Sequence, residues 1–248
     1  MAQGTSGYDG FAGTYAVENE TSLMNAYYER PAALALAGDV AGRRILDAGC
    51  GSGPLFVALR DRGAVVSGFD QSAGMVEQAR QRLGGDADLR VADLADPLPF
   101  PDAAFDDVMA SLVLHYLEDW KPTLAELHRV LRTGGRLIAS VNHPMMVNLT
   151  HRAEGPRPDY FERYTWTDEF VLQGRPCRMT FWNKPLHAMT DAFTEAGFRI
   201  SVIHEPHPTP EAREVYPDDF PILDTFPTFL FFVLEAGQSR RRSPSSRM

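Results

Sequence analysis

Short apolar runs alternate with amphipathic stretches along the first 141 residues of the chain. The apolar runs are rich in β-branched side chains and predict strands at 44–48, 65–69, 89–92, 106–111 and 136–141. The stretches between them place apolar residues at helical spacing and predict helices at 54–62, 72–83 and 122–131. This alternation predicts an α/β fold with a doubly wound, mostly parallel sheet, in which ligands bind outside the carboxyl ends of the strands.

The alternation stops near residue 144. Residues 144–187 are rich in proline, glycine and aromatic side chains and show no clear period, which indicates an inserted cap. A helix at 188–196 and strands at 200–204 and 228–235 then return to the core, with a proline-rich connection at 206–227. We therefore expect four parts, which are a core at 1–143, a cap at 144–187, a return to the core at 188–236 and a disordered tail at 237–248.

The composition narrows the classes of function. The chain has 248 residues and a net charge of −9, so a wide basic face for nucleic acid is not expected. Arginines 240–242 form a basic cluster, which is either a frayed terminus or a nucleic-acid arm. Cys50 and Cys177 do not make a disulfide framework, and the longest apolar run, 229–234, is far too short to span a membrane. We expect a cytoplasmic protein without stable membrane association.

Residues 45–53 read Ile-Leu-Asp-Ala-Gly-Cys-Gly-Ser-Gly, between the first predicted strand and the first predicted helix. The glycines follow the pattern G-x-G-x-G and not the dinucleotide fingerprint G-x-G-x-x-G, and no Lys-Ser or Lys-Thr of a P-loop follows them. Asp70 ends the next apolar run, where its carboxylate can accept hydrogen bonds from the two hydroxyls of a ribose. The two features together predict a pocket for a cofactor that contains adenosine.

The turn Asp47-Ala-Gly-Cys-Gly-Ser-Gly53 resembles the first motif of the class I methyltransferases that use S-adenosylmethionine. Segments 98–101, 105–108 and 126–137 resemble, in order, later motifs of the ubiquinone-biosynthesis-like (type 11) subgroup. The resemblance covers about residues 8 to 140 and is weaker beyond. It implies a Rossmann-like sheet of seven strands, mostly parallel with the last antiparallel, an N-terminal lid helix, and S-adenosylmethionine as the cofactor.

The resemblance also implies which residues contact the cofactor. Asp93, an acid after the third strand, would accept a hydrogen bond from the adenine amino group, and Leu94 would contact the adenine ring. Some of these residues also have a purely structural interpretation. Asp70 fits the N-cap of the following helix, Asp93 fits an ordinary turn, and Met75 fits the hydrophobic core. The full predicted set is Tyr8, Tyr15, Asp47, Gly49, Gly51, Gly53, Asp70, Gln71, Met75, Asp93, Leu94 and Ser111.

Methyl transfer from a sulfonium is an in-line displacement that requires no metal and no covalent intermediate, and we expect no metal site. His115 follows the fourth strand and is the candidate general base, or else a structural histidine bonded to the backbone. The pair His204 and His207 lacks a third ligand at a suitable spacing.

The aromatic residues of 144–187 favour a flat, apolar acceptor, although they also fit a small core within the cap. The predicted substrate contacts are Tyr28, Tyr164, Trp166, Phe170, Trp182, His187 and His207. An acceptor that carries a carboxylate also remains possible, because an arginine of this segment could bind it. The candidates are Arg157, Arg163, Arg175 and Arg178.

The sequence therefore predicts a methyltransferase for O, N or an electron-rich C of a small aromatic or heteroaromatic compound of specialised metabolism. The alternatives are a quinone-pathway C-methyltransferase acting on a prenylated ring, a nucleic-acid methyltransferase, and an inactive fold used as a binding module. A homodimer is compatible with the cap, and the sequence does not identify the acceptor.

Overall fold

A computed structural model describes residues 12–154, 158–172 and 174–237. Seven strands form one sheet. The strands are β1 (Arg44–Ala48), β2 (Val65–Asp70), β3 (Asp88–Val91), β4 (Phe105–Ala110), β5 (Leu131–Asn142), β8 (Phe198–His204) and β9 (Phe229–Ala236). Their order across the sheet is β3-β2-β1-β4-β5-β9-β8. Neighbours from β3 to β5 pair in parallel, and β9 runs antiparallel to both β5 and β8. The predicted α/β fold, with a mostly parallel sheet whose last strand is antiparallel, is confirmed.

Helices cover both faces of this sheet, as the strand–helix alternation requires. They are α1 (Ala12–Thr21), α2 (Arg30–Ala37), α3 (Pro54–Asp61), α4 (Ala73–Leu83), α5 (Lys121–Val130), α6 (Pro144–Glu154), α7 (Leu186–Glu195), α8 (Ala212–Val215) and α9 (Phe220–Leu223). A π-helical turn, Asn25–Glu29, leads directly into α2. The connection 206–227, expected to be irregular, contains α8 and α9, and Ala212 and Phe220 bury their side chains against Leu23.

The core lies on both sides of the central strands. Leu46, Val108, Leu137 and Phe232 belong to the cluster on one face, and all are fully buried. A second cluster covers the opposite face with residues from α2, α3 and alternate positions of the same strands. Burial on both faces explains why these strands read as continuous apolar runs and not as alternating ones.

The segment between β5 and α7 forms a small layer over the sheet edge. It consists of α6 and an antiparallel hairpin of β6 (Tyr164–Leu172) and β7 (Arg175–Asn183). The sequence pattern did not reveal the hairpin, because Asp168 on the cavity face and Trp182 on the outer face interrupt the alternation of apolar and polar positions. We call α6, β6 and β7 the cap.

An ion-pair cluster joins three strands at the end of the sheet away from the cap. The carboxylate of Asp107, on β4, lies 2.5 Å from Nε of Arg43 and 2.8 Å from Nε of Arg136. Burial opposes ionisation of Asp107, but the hydrogen bonds from the two guanidinium groups outweigh it and lower the pKa of the carboxyl. The cluster links the residue before β1 to β4 and β5 and leaves the carboxyl ends of these strands free for ligands.

Several predicted features lie outside the described residues. These are Tyr8, Arg157 and the tail with its arginines, together with the side chains of Phe170 and Arg175. Among the helices within the described ranges, none has the length and apolar content needed to cross a membrane.

Candidate functional site

The glycine turn after β1 forms an open cradle at the carboxyl edge of the sheet. The backbone N–H groups of Gly49 and Cys50 both donate to the carbonyl of Phe69, at 2.8 and 2.9 Å. Gly49 has a φ of +76°, and a Cβ there would lie 2.3 Å from Cγ1 of Val113. The turn therefore requires glycine at this position for both its backbone conformation and its close packing.

Asp70 holds this turn in place from the tip of β2. Its Oδ2 accepts a hydrogen bond from the N–H of Gly51 at 3.0 Å, and its Oδ1 accepts from the N–H of Ser72 at 2.9 Å. Ser72 in turn caps α4, because its hydroxyl accepts from the N–H of Met75 at 3.1 Å. Ser72, and not Asp70, is therefore the N-cap residue of α4, and Asp70 lies on the wall of the adjacent cavity.

Two adjoining cavities open at the carboxyl edge of the sheet, with volumes of about 440 and 200 Å³. Gly49, Asp70, Val113 and Tyr116 line both of them. The larger cavity brings together nine of the predicted site residues, which are Tyr15, Asp47, Gly49, Gly51, Asp70, Met75, Ser111, His115 and Trp166. Three more line the smaller cavity, and these are Gln71, Asp93 and Leu94. The smaller cavity lies where the resemblance places the adenine ring.

Gly53 and Tyr28 lie behind the cavity walls. Gly53 is the N-cap residue of α3, and a Cβ there would lie 3.1 Å from Leu83, so this glycine serves helix packing. Tyr28 is 1% exposed, its hydroxyl accepts from the N–H of Thr228 at 3.3 Å, and its ring contacts Phe229. The structure therefore places Tyr28 in the core and not against a substrate.

Four predicted substrate contacts also lie off the cavity walls. His207 is exposed, and its Nδ1 lies 3.0 Å from the carbonyl of Asp224. His187 is exposed at the start of α7, and Trp182 lies beside the ammonium group of Lys184. Tyr164 accepts a hydrogen bond from Asn148. For Trp182 the reason is the strand alternation, because Trp182 is on the outer face of β7, while its neighbour Phe181 faces the cavity.

Glu29, at the end of the π-helical turn, is a cavity residue that the sequence reading missed. It is 3% exposed, and its Oε1 accepts hydrogen bonds from the hydroxyls of Ser111 at 2.7 Å and Ser140 at 2.6 Å. Burial raises the pKa of Glu29, and these two hydrogen bonds only partly oppose it. A charged residue within an apolar helical segment was the available signal.

A second buried acid, Asp47, faces the same cavity. Its side chain is 1% exposed, and among the described residues nothing donates to its Oδ2. Burial, with the nearby charges of Glu29 and Asp70, raises the pKa of Asp47 to about 7. A buried carboxylate oxygen without a donor, next to a second acid, fits a ligand with a positive charge.

The loop after β4 shows backbone strain beside these acids. Leu112 has a φ of +51°, which is uncommon for a residue with a branched side chain. Its N–H donates to the hydroxyl of Ser140 at 3.0 Å, so the network around Glu29 holds this conformation in place. Strain of this kind is concentrated at functional sites.

The contacts of His115 do not support a role as general base. Its Nδ1 accepts a hydrogen bond from the N–H of Asn142 at 3.4 Å, and its ring packs edge-on against Phe181. Burial and the nearby charge of Lys184 lower the pKa of His115 to about 3. The imidazole is therefore neutral and a very weak proton acceptor, as in the structural alternative.

The cap closes the far side of the larger cavity with a mainly apolar and aromatic surface. We call this surface the cap wall, and it consists of Met146, Val147, Thr150, His151, Trp166, Asp168, Met179 and Phe181. Trp166 lies 4.7 Å from Phe181 and 5.2 Å from His151 between ring centroids. In the ranges that the structure describes, no cluster of three or more His, Cys, Asp or Glu residues is arranged for a metal ion.

Comparison with known proteins agrees with this geometry. Residues 46–139 match the type 11 family model described as a methyltransferase domain. The chain is 33% identical over 162 residues to the ubiquinone/menaquinone biosynthesis C-methyltransferase of Desulfotalea psychrophila, with 63% of each chain covered. It is 41% identical over 99 residues to the malonyl-[acyl-carrier protein] O-methyltransferase of Serratia marcescens, covering 40% of this chain and 38% of that one. The chain thus spans less than two thirds of the length of these curated relatives.

Solved structures agree over a larger part of the chain. An S-adenosylmethionine-dependent methyltransferase from Mesorhizobium loti is 26% identical, with a TM-score of 0.64, and covers 83% of this chain and 96% of its own. A related structure from Listeria monocytogenes, at 22% identity and a TM-score of 0.67, shares the fold over 90% of this chain and 98% of its own. The predicted recognition is therefore confirmed for residues 46–139, which form a type 11 methyltransferase domain, and the similarity to S-adenosylmethionine-dependent methyltransferases of known structure supports the predicted cofactor.

Proposed function

We propose that the chain transfers the methyl group of S-adenosylmethionine to O, N or an electron-rich C of a small aromatic or heteroaromatic metabolite. The observation that carries this proposal is the continuity of the larger cavity. It extends from Asp70 and the glycine turn, past Ser111, to Trp166 and Phe181 of the cap wall. A donor bound on the sheet side and an aromatic acceptor bound on the cap side would share one space.

The residues present fit the cofactor. Asp70 would accept from the ribose hydroxyls, and Asp93 with Leu94 would hold the adenine ring at the smaller cavity. Glu29 and Asp47 would face the positive charge of the methionine portion, which supplies the partner that the buried Oδ2 of Asp47 lacks. These assignments rest on the positions of the side chains around the two cavities.

When bound, S-adenosylmethionine supplies a methyl group that its sulfonium already activates. The task of the protein is then to align the acceptor with that methyl group, and such positioning can contribute about 7–11 kcal/mol. The cap wall would exclude water, and Trp166 and Phe181 would orient a flat ring. His115 would support this wall through its packing against Phe181.

The first test is equilibrium binding of S-adenosylmethionine and S-adenosylhomocysteine by calorimetry, followed by incubation of candidate metabolites with the cofactor. A mass increase of one methyl group on an aromatic metabolite is the expected result. Asp70→Asn should weaken cofactor binding by about tenfold, because it removes a charged acceptor. Absence of measurable cofactor binding by the unaltered protein would rule out the proposal.

A quinone-pathway C-methyltransferase is the second candidate, and the similarity to the Desulfotalea psychrophila enzyme favours it. A prenylated acceptor requires contact with a lipid surface, so the two candidates differ in membrane binding. Flotation with liposomes that contain a prenylated quinone precursor separates them. Recovery of the protein with the liposomes, together with methylation of the precursor, would favour the second candidate over the first.

A further inference from the structure

The cap hairpin separates its two faces by chemistry. On β6, Trp166 and Asp168 face the cavity, opposite Phe181 and Met179 on β7. On the other face, the hydroxyls of Thr167 and Thr180 are hydrogen-bonded at 2.9 Å. Alternation along the two strands thus places one carboxylate, Asp168, among aromatic and thioether side chains of the cap wall.

The charges of the two faces are balanced differently. On the outer face, Glu169 forms an ion pair with Arg178, its cross-strand partner, at 3.0 Å. On the cavity face, the cross-strand partner of Asp168 is Met179, which cannot neutralise it. Within the described ranges, no ion pair includes Asp168. Its charge is therefore available to a molecule in the cavity.

Among the cationic side chains that the structure describes in the cap region, those of Arg163, Arg178 and Lys184 are not part of the cap wall. Arg163 is exposed, and Arg178 is on the outer face, 71% exposed at its side chain. The ammonium group of Lys184 donates to the carbonyl of Leu117 at 2.5 Å. The cap wall, as described, contains no lysine or arginine. Of the four arginines that left open an anionic acceptor, Arg163 and Arg178 are not part of it, and Arg157 and the side chain of Arg175 lie outside the described residues.

Aromatic faces add to the effect of the carboxylate. Trp166 and Phe181 lie 4.7 Å apart between centroids at an angle of 35°, and Tyr116 lies 5.1 Å from Phe181. The negative face of an aromatic ring attracts an ammonium group. Rings next to an unpaired carboxylate form a surface that favours cations and disfavours anions.

We infer that Asp168 makes the cap wall select flat aromatic acceptors that carry a positively charged amino group, in preference to the same ring with a carboxylate. The inference rests on the proposed function, because it requires the cap side of the cavity to hold the acceptor. The amino group is recognised at Asp168 and need not be the atom that receives the methyl group.

The experiment compares three compounds with the same indole ring and different side chains: tryptamine, which is cationic, 3-methylindole, which is neutral, and indole-3-propionate, which is anionic. Calorimetry measures their binding to the full chain saturated with S-adenosylhomocysteine. We expect tryptamine to bind about 5–20 times more tightly than indole-3-propionate, since attraction and repulsion both contribute. The preference should decrease as the salt concentration rises.

Two variants assign the preference to one side chain. Asp168→Asn should reduce the difference between tryptamine and indole-3-propionate to less than twofold, with binding of S-adenosylhomocysteine unchanged. Glu169→Gln, which neutralises the adjacent carboxylate on the outer face, should leave the difference as it is. Both positions are exposed, so folding should be preserved, and Asp168→Ser provides a second uncharged variant with a smaller side chain.

Several results would overturn the inference: equal affinities for the cation and the anion, a preference that survives in Asp168→Asn, an equal loss in Glu169→Gln, or no binding of any of the three compounds to the saturated protein. Failure of S-adenosylhomocysteine to bind would instead refute the proposed function, and that measurement is made first.

Discussion

The carboxylate of Glu29 accepts a hydrogen bond from the hydroxyl of Ser140 at 2.6 Å, although 111 positions separate the two residues. This contact joins the helical segment before the first strand to the carboxyl-terminal part of β5. Ser111 donates to the same oxygen, and Leu112 donates to Ser140, so the network also holds the strained loop after β4. An acid buried in the N-terminal segment therefore organises the edge of the cavity.

Glu29→Ala should lower the free energy of unfolding by about 1–3 kcal/mol, because two buried hydroxyls lose their acceptor. Glu29→Gln retains a carbonyl oxygen and should lose less than about 1 kcal/mol. Urea unfolding at pH 7 measures both values. Equal losses in the two variants would show that the charge of Glu29, and not its hydrogen bonds, stabilises the fold.

In the absence of cofactor, Asp47→Asn should stabilise the folded protein most at high pH. The pKa of Asp47 is raised to about 7 in the folded chain, against about 3.9 in an unfolded one, so the folded state binds the proton more tightly. The contribution of Asp47 to stability is therefore greatest at low pH and decreases as the pH rises from about 4 to about 7. We expect Asp47→Asn to raise the melting temperature by several degrees at pH 8 and by clearly less at pH 5.

The same substitution should alter cofactor binding in the opposite direction. A cationic ligand favours ionised Asp47, so the affinity for S-adenosylmethionine should increase between pH 6 and pH 8, and Asp47→Asn should weaken binding and flatten that increase. Asp61→Asn, at an exposed acid on α3, is the control and should show neither effect. A stability difference that does not vary with pH would contradict the raised pKa.

His115 offers a test of whether a protein base is needed. Asparagine can keep an acceptor for the N–H of Asn142, so His115→Asn should retain the turnover of the first identified acceptor within about threefold, whereas His115→Ala leaves that donor unpaired and should be less stable. A general base would instead contribute about 10²–10⁴-fold. If both variants lose that much turnover, and the dependence of kcat/KM on pH loses one of its limbs, His115 would be the general base after all.

Gly49→Ala should disrupt the glycine turn. The added methyl group would lie 2.3 Å from Cγ1 of Val113, in addition to the cost of about 1–2 kcal/mol for a positive φ. Gly42→Ala is the matched control, because Gly42 has a φ of +72° and no atom within 4 Å of the added group. Urea unfolding and S-adenosylmethionine titration should show a larger loss at Gly49. Equal losses would mean that Val113 moves aside freely.

The sequence by itself determined the core of this protein. The first strand was predicted with its observed bounds, Arg44–Ala48. The ends of the other core elements differ from the prediction by a few residues, and β5 begins at Leu131, earlier than the predicted start at 136. This succeeded because buried parallel strands and helices that cover them leave strong periodic signals. The glycine turn and Asp70 were also readable, because a tight turn and a strand-end acid are local features.

Only the tertiary structure decided the other half of the site. Glu29 and Ser140 are far apart in the chain, and their hydrogen bond depends on how the N-terminal segment packs across the sheet. The register of the cap hairpin placed Trp166 and Phe181 at the cavity and left Trp182 outside it. The pKa of His115 depends on burial by residues from several elements. Side-chain orientation in a short hairpin and desolvation of a titratable group both arise from contacts distant in sequence, which a linear pattern does not record.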